Sequence, residues 1–566
     1  MRDRPEPPER TEGSAVSNTT ITPQAAPNRR NTELMMLGFA VLVPMLAYAN
    51  VGLAGDGSLP LVSVLKYGFG LGVFAFGAHL LVRRFAPYAD PLLLPLATFL
   101  NGMGLMFINR LDLDIVKGVG LPAGKHGTAA AGSQLMYSAI GIALFAGVVM
   151  LLKDHRLLQR YTYTFMALSL VLLVSPIPFP GDMYGAKIWI RLGPFNFQPG
   201  EFTKIVLTIF FAGYLMAKRD ALALASRKVM GLYFPRGRDM GPIVVVWLLS
   251  ILILVFERDL GTSLLFFGLF VVMLYVATER TSWLLFGLIM AVGGAVVVGT
   301  LEPHVHDRVA AWLDPLAVYD GSGSVQSDQV AQALFGYGTG GLLGTGLNQG
   351  HPTEIGFAAR SDFILTTVGE ELGLAGMMGL FMVYALLIER GLRTSLAARD
   401  PFGKLLAAGL SVTIALQVFV VAGGVTGLIP LTGMTMPFLA QGGSSVITNW
   451  ALVAILIRIS DTARRPAPAA GVFDPGAGVA PRRGSRASGR DGTPASGNTP
   501  PPSSTPADGS SAPDPEALTV AGGVPGGPAP AAGSGTPARP FVPPPNSGGG
   551  TPYGPPGQSG SGGPQS

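Results

Sequence analysis

The residues with the means to do chemistry concentrate in one stretch, Thr345 to Leu374, TGLNQGHPTEIGFAARSDFILTTVGEELGL. A Gly-rich segment crosses Glu354, Arg360 and Asp362 and then enters an apolar helix carrying the adjacent acids Glu370 and Glu371. A carboxylate within hydrogen-bond reach of a hydroxyl can act as a general base. Asp362 is the candidate for that role, and capping of the helix start accounts for an acid there equally well. Glu370 and Glu371 lie roughly 12 Å further along the helix at 1.5 Å per residue. Facing lipid, each would cost on the order of 3 kcal/mol. Both are therefore expected to face the bundle interior in structural hydrogen bonds.

Two further groups carry charge beside apolar runs. GAKIWIRLGPFNFQPGEFTK holds Lys187, Trp189 and Arg191, then Glu201 and Lys204 at a helix start. Residues three apart share a helix face, so Glu201 and Lys204 face the same way. One reading is a polar pocket for an anionic headgroup such as a diphosphate, with Lys204 and Arg191 as point charges. The other is an interfacial anchor of Trp and basic residues. The residues alone balance the two evenly. In ERDLGT, residues 257–262, Asp259 either pairs with Arg258 or faces the same cavity, and spacing slightly favours the pair. Gly442, Gly443, Ser444 and Ser445 suit close helix packing. GVGLPAGKH misses the phosphate-loop spacing, and His304 with His306 is too little for a metal site. No repeat supports an inverted-repeat carrier.

These groups need a membrane scaffold. Only 13% of the 566 residues are charged, about half the usual share, and mean hydropathy is +0.43 despite a polar tail. Apolar runs recur near 34–52, 61–82, 91–108, 134–152, 161–177, 201–217, 241–256, 259–277, 282–300, 363–387, 402–425 and 436–458. That makes about twelve spans of an all-α polytopic bundle. The first run is long enough to span, and MRDRPEPPER does not open a secretory signal peptide. Lys and Arg crowd alternate loops, which places both termini in the cytoplasm and the loops 178–200 and 301–362 outside. The longer loop, about sixty residues, exceeds what a structureless connection normally spans. It is expected to pack on the membrane domain as short amphipathic helices joined by Gly turns. The expected domains are a disordered cytoplasmic arm, 1–33, a transmembrane domain, 34–462, and a Pro/Gly/Ser-rich disordered cytoplasmic tail, 463–566. The absence of cysteine removes disulfides and thiolate metal sites, and no basic cluster interleaved with aromatics suggests nucleic acid.

Taken in order, these stretches resemble the SEDS family (shape, elongation, division and sporulation), whose members include FtsW, RodA and SpoVE. The resemblance covers roughly residues 90–460. The two extra N-terminal helices, about 34–82, and segments such as RRFAPYADPLLLPLATFLNGMGL are most similar to the actinobacterial RodA-like branch. A family pattern resembling H-T-D-F-I-F…G-E-E-L-G stands here as Arg360 to Ile364 and Gly369 to Gly373, which carries the catalytic role to Asp362. Glu354 matches an acidic residue upstream in the same loop. Gln-Pro-Ser-Glu-x-x-Lys appears as Gln198 to Glu201 and Lys204, and P-D-L-G-T as Arg258 to Thr262. Arg360 replaces the usual His, Ile188 stands where a base is common, and a glutamine pattern survives as Gln329 and Gln332.

The resemblance implies a peptidoglycan polymerase in the bacterial plasma membrane, with its active site on the outer face. It would use lipid II, release undecaprenyl diphosphate and work beside a class B penicillin-binding protein and other elongasome or divisome proteins. In that reading Asp362 is the base. Lys204 and Arg191 meet the diphosphate, Glu201 orients Lys204, and Glu354 positions substrate or a cation. Lys187, Trp189, Gln329, Gln332 and Asp259 complete the substrate site. No cofactor is specified, and a divalent Mg or Mn ion is left open. A lipid II carrier and a non-catalytic scaffold are the alternatives.

Overall fold

The long apolar runs become helices whose ends are marked by local chemistry. Asp400 caps the helix that begins at Pro401 by accepting from the Gly403 amide at 2.7 Å, and proline occupies the first turn, where its missing N–H costs nothing. Asp259 does the same for the helix beginning at Leu260, which ends at Glu279 in a left-handed conformation.

In this computed structural model the described residues are 30–119, 126–178, 188–192, 195–224, 226–229, 232–235, pieces between 244 and 252, 259–301, 303–317, 319 and 326–466. Contacts divide the chain into two units, Met1–Pro475 and Gly476–Ser566, and the second lies outside the described residues. The helices are α1 (Arg30–Asp56), α2 (Leu61–Phe85), α3 (Leu93–Lys117), α4 (Ala131–Leu151), α5 (Arg156–Arg160), α6 (Thr162–Val174), α7 (Pro199–Leu224), α8 (Leu260–Thr278), α9 (Ser282–Leu301), α10 (Pro303–Leu313), α11 (Gln326–Gly340), α12 (Ile364–Ala397), α13 (Pro401–Val425) and α14 (Gly443–Arg464). Two antiparallel hairpins interrupt them, β1 (Ile190–Leu192) with β2 (Phe195–Phe197) and β3 (Ser226–Val229) with β4 (Leu232–Pro235). The sequence did not announce these hairpins.

Among the described residues, nine helices are long and apolar enough to cross a membrane: α1, α2, α4, α7, α8, α9, α12, α13 and α14. The expected run at 91–108 is helical as α3 but carries Arg110, Asp112 and Asp114 at its far end. The run at 161–177 gives the 13-residue α6, and 241–256 falls largely outside the described residues. Helix α1 starts at Arg30, inside the expected arm. There Arg30 pairs with Glu33, and His79 of α2 lies 2.7 Å from the same carboxylate.

Helix α14 is the central element. It packs on α4, α12, α7, α3 and α13, and Leu452 to Leu456 are buried. Trp450 stands edge-on to both Phe145 and Phe438. Helices α1, α2 and α9 instead expose Phe39, Phe69, Leu288 and Val296, the pattern of lipid-facing surface. The segment between α9 and α12 folds as expected into short helices, α10, α11 and a 3₁₀ segment, Pro352–Arg360, with positive-φ glycines Gly341, Gly344 and Gly346 in the turn after α11; the connection from α10 to α11 falls largely outside the described residues.

Helix α12 is broken at Gly373, whose φ of 66° lies in the left-handed region. The glycine turn before the 3₁₀ segment crosses the break. Thr345 and Gly346 amides donate to the carbonyls of Glu370 and Glu371 at 2.9 and 3.0 Å, and Leu374 and Ala375 amides donate to Gly341 and Leu342 at 3.0 Å each. Main-chain groups freed by the break are thereby satisfied, which irregular backbone beside a membrane requires. The residues beyond Gly373 suffice to span, so Glu370 and Glu371 belong to the piece before the break. They face the protein as expected. Glu370 accepts from the His351 amide at 2.7 Å, and Glu371 accepts from Arg110 at 2.7 Å.

Candidate active site

Asp362 occupies the turn between the 3₁₀ segment and α12. The Ser361 and Phe363 amides both donate to the Ala358 carbonyl at 3.1 Å. The residue at the cap of α12 is Phe363, and no side chain bonds the helix's first amides. Capping therefore does not consume the Asp362 carboxylate. It is half-buried yet surrounded by protein, as at the floor of a crevice. Burial pushes it up to about 6, against the pull of Arg308 and a hydrogen bond from Ser361, while Asp259 adds to the rise.

Arg308 belongs to none of the sequence motifs above, yet it faces these acids. It is buried on α10, donating from Nη1 to the carbonyls of Leu431 and Thr432 at 3.1 Å each. Its Nε has no partner, and it lines a cleft with Ala311, Trp312, Val330, Gly424 and Leu431. Burial lowers its affinity for its proton, and the charges of Asp259 and Asp362 oppose that shift only in part, so one guanidinium feels two carboxylates. A sequence signal existed. Val305, Arg308 and Ala311 recur at three-residue spacing and are all buried, which puts a cation on the apolar face of an amphipathic helix.

Asp259 accepts from the Thr262 amide at 2.9 Å and its hydroxyl at 2.5 Å. Burial raises its pKa, the Thr262 bonds and Arg308 oppose the rise, and Glu201 adds to it. Asp259 thus both caps α8 and faces the shared site. Arg258, the partner favoured by spacing, lies outside the described residues.

Glu201 and Lys204 do share a face of α7, but Lys204 does not present a free charge. Its ammonium donates to Glu201 at 2.6 Å, Gln417 at 2.9 Å and Asn449 at 3.1 Å, which uses all three of its N–H groups. Direct binding of a diphosphate would have to break one of these bonds. The geometry reverses the expected order: Lys204 holds Glu201 beside Asp259. Gln417 also donates to the Thr435 carbonyl at 2.9 Å, tying α13 to the turn before α14.

The remaining candidates divide. Arg191 is exposed on β1 and Trp189 is half-buried just before it, in a hairpin joined to α14 by the Gln198 amide donating to Ser444 at 3.0 Å. Lys187 lies outside the described residues. Glu354 is exposed, and the carboxyl that feels its charge is Glu370. Gln332 donates to the Tyr319 hydroxyl at 3.0 Å, bracing the segment rather than meeting the acids. Gln329 is half-buried on α11, one residue before the cleft-lining Val330. Among the described residues no three His, Asp or Glu side chains converge on a metal-sized site, and no residue is assigned to an ion.

Fold and site together define a polytopic helical membrane protein whose interhelical segment brings a buried arginine within electrostatic range of two acids beside the bundle. The family model of FtsW/RodA/SpoVE cell cycle proteins matches residues 91–465, and the chain belongs to this family. It is 47% identical to the peptidoglycan glycosyltransferase RodA of Mycobacterium tuberculosis (strain H37Rv) over 449 residues, 79% of this chain and 93% of that one. Similarity to a probable peptidoglycan glycosyltransferase FtsW of Trichlorobacter lovleyi is 33% over 330 residues, 58% of this chain and 82% of the other. A chain of known structure, from a peptidoglycan synthase complex that coordinates polymerization and crosslinking, shares the fold. Its TM-score is 0.51 at 24% identity, covering 67% of this chain and 99% of that one.

Proposed function

We propose that this protein is a peptidoglycan glycosyltransferase that polymerises glycan strands from lipid II. The carrying observation is the half-buried Asp362 carboxyl, held near 6 and facing a buried arginine. A base with that affinity is ionised at neutral pH and still takes a proton readily. Asp362 removes the proton from the acceptor sugar's 4-hydroxyl. The oxygen attacks the anomeric carbon of the donor, the bond to the diphosphate breaks, and configuration inverts. The leaving undecaprenyl diphosphate gains charge, and preorganised donors aimed at such charge are worth about 3 kcal/mol each. Arg191 is exposed and is assigned to the diphosphate, while the buried Arg308 offsets the charge of the two carboxylates. Lys204 acts through Glu201, which with Asp259 shapes the polar floor. The excess of Lys and Arg on alternate loops supports cytoplasmic termini and an outward-facing site. The class B penicillin-binding protein is the partner this reading requires for crosslinking.

The test is the purified full chain, with and without such a partner, given labelled lipid II and compared with Asp362→Asn. Polymer from wild type and at least a hundredfold less from the folded variant is expected. Equal polymer from both would remove Asp362 from the chemistry. No polymer from either, with the partner present, would favour a carrier or scaffold.

A further inference from the structure

We infer that Asp112 and Arg360 form a positioning pair that holds the Asp362 turn against α3, a role that rests on the proposed transferase reading. Arg360 precedes the base by two residues, and its side chain runs away from the acids. It is 6% exposed, and Nη1 donates to Asp112 Oδ1 at 2.5 Å and to the Thr128 carbonyl at 2.9 Å. Asp112 is 5% exposed, and its other oxygen accepts from the Ala130 and Ala131 amides at 2.7 Å each. One carboxylate therefore joins α3, the start of α4 and the residue two before the base.

The main chain of Arg360 is fixed as well, since its carbonyl accepts from the Gln441 amide at 2.8 Å. Two residues earlier on α3, Arg110 holds the Gly350 carbonyl at 3.0 Å and Glu371 at 2.7 Å. The segment from Gly350 to Glu371 is thus pinned to α3 at both ends and again at Arg360, and Asp362 lies between the last two pins. A misplacement of about 1 Å at a reacting group can cost on the order of a hundredfold in rate. None of these bonds touches the Arg308 cleft, so both residues act through the placement of Asp362.

Asp112→Asn, Arg360→Gln and the double variant, each in the full chain, are assayed for lipid II polymerisation across pH. Asn still offers an oxygen to the Ala130 and Ala131 amides but loses the ion pair. Each single variant is expected to lower kcat about tenfold with KM within about twofold, and the double to be no worse than the worse single. The groups facing Asp362 are Arg308 of α10, Asp259 before α8 and the Ser361 hydroxyl, with Glu201 and Lys204 of α7 behind Asp259. None of these side chains is altered in the variants. A base released from its crevice into water moves the acid limb of the rate profile from about 6 toward the ordinary carboxylate value.

Loss of amplitude with the limb unmoved would make the pair a support of the fold only and overturn the proposal, as would wild-type kinetics in all three. Should these variants not fold, Asp112→Glu keeps the charge pair but lengthens the link and so displaces the Asp362 turn; a shifted limb there supports the pair, and a limb at the wild-type pH overturns it. Polymer from wild type and none from Asp362→Asn, with Asp112→Asn indifferent, sinks the pair alone. No polymer from wild type sinks the transferase reading itself.

Discussion

Asp362 serves two masters at the level of single residues. Its pKa is raised to about 6 in the folded chain, mainly by burial, against an ordinary value of 3.8. A raised carboxyl contributes stability that is fully present below about 4 and is lost as pH rises through about 6. At pH 7.5 the ionised base therefore weakens the fold it serves. Asp362→Asn is expected to melt no lower than wild type at pH 7.5, with the difference vanishing near pH 4; a clearly lower melting temperature at pH 7.5 would contradict this. Catalysis runs the other way, rising with pH through about 6 and then levelling. Arg308 pulls the Asp362 value down, so Arg308→Gln should move that limb upward and lower kcat at least a hundredfold. Lys204 is a different kind of charge. Lys204→Met strands the buried Glu201 carboxylate and is expected to cost about 3 kcal/mol, read as a fall in melting temperature.

Among elements, the broken α12 decides where the acids sit. A continuous helix from Ile364 to Ala397 would carry Glu370 and Glu371 into the bilayer. The break lets the Gly-rich turn cross it and keeps them on the segment that folds over the bundle. Gly373 is required there: a Cβ would lie 2.3 Å from the Gly344 nitrogen and 2.6 Å from the Leu342 oxygen, at a φ of 66°. Gly373→Ala is expected to lower stability by about 2 kcal/mol. Gly38, whose added Cβ meets nothing within 4 Å in α1, is the control, and Gly38→Ala should leave the melting temperature unchanged or slightly raised. Helix α10 shows how an amphipathic surface helix can carry function on its apolar side. The same face that buries Val305 and Ala311 delivers Arg308 to the acids.

Across the whole molecule, α14 ties the end of α2 and the α2–α3 connection to the family core. Arg458 donates to the carbonyls of Phe85 and Leu152 at 2.5 Å each and Lys153 at 2.7 Å, stapling the ends of α2 and α4. Asp461 accepts from the Tyr88 amide at 2.9 Å, and Arg464 bonds Asp90 at 2.5 Å. These contacts end by Arg465. Truncation after residue 466 should leave the polymerisation rate within about twofold and the melting temperature unchanged, since the Pro/Gly/Ser-rich stretch beyond it has too few apolar side chains to build a packed core. Arg458→Gln should cost about 1 kcal/mol by leaving three part-buried carbonyls to water.

The sequence by itself determined the bundle, because runs of about twenty apolar residues have few fates other than spanning a membrane. It also determined Asp362, Asp259 and Glu201 as candidates, because acids at helix starts beside apolar runs are conspicuous in a chain with so few charges. It could not say how those charges are spent. Lys204 meets Gln417 and Asn449 from 213 and 245 residues away, and Arg360 meets Asp112 across 248. No local period encodes such pairings. Only the tertiary structure decided that Lys204 is consumed inside the protein while Arg308 is aimed at the acids. Burial turns each charge into a demand for partners, and which partners arrive depends on how the helices pack.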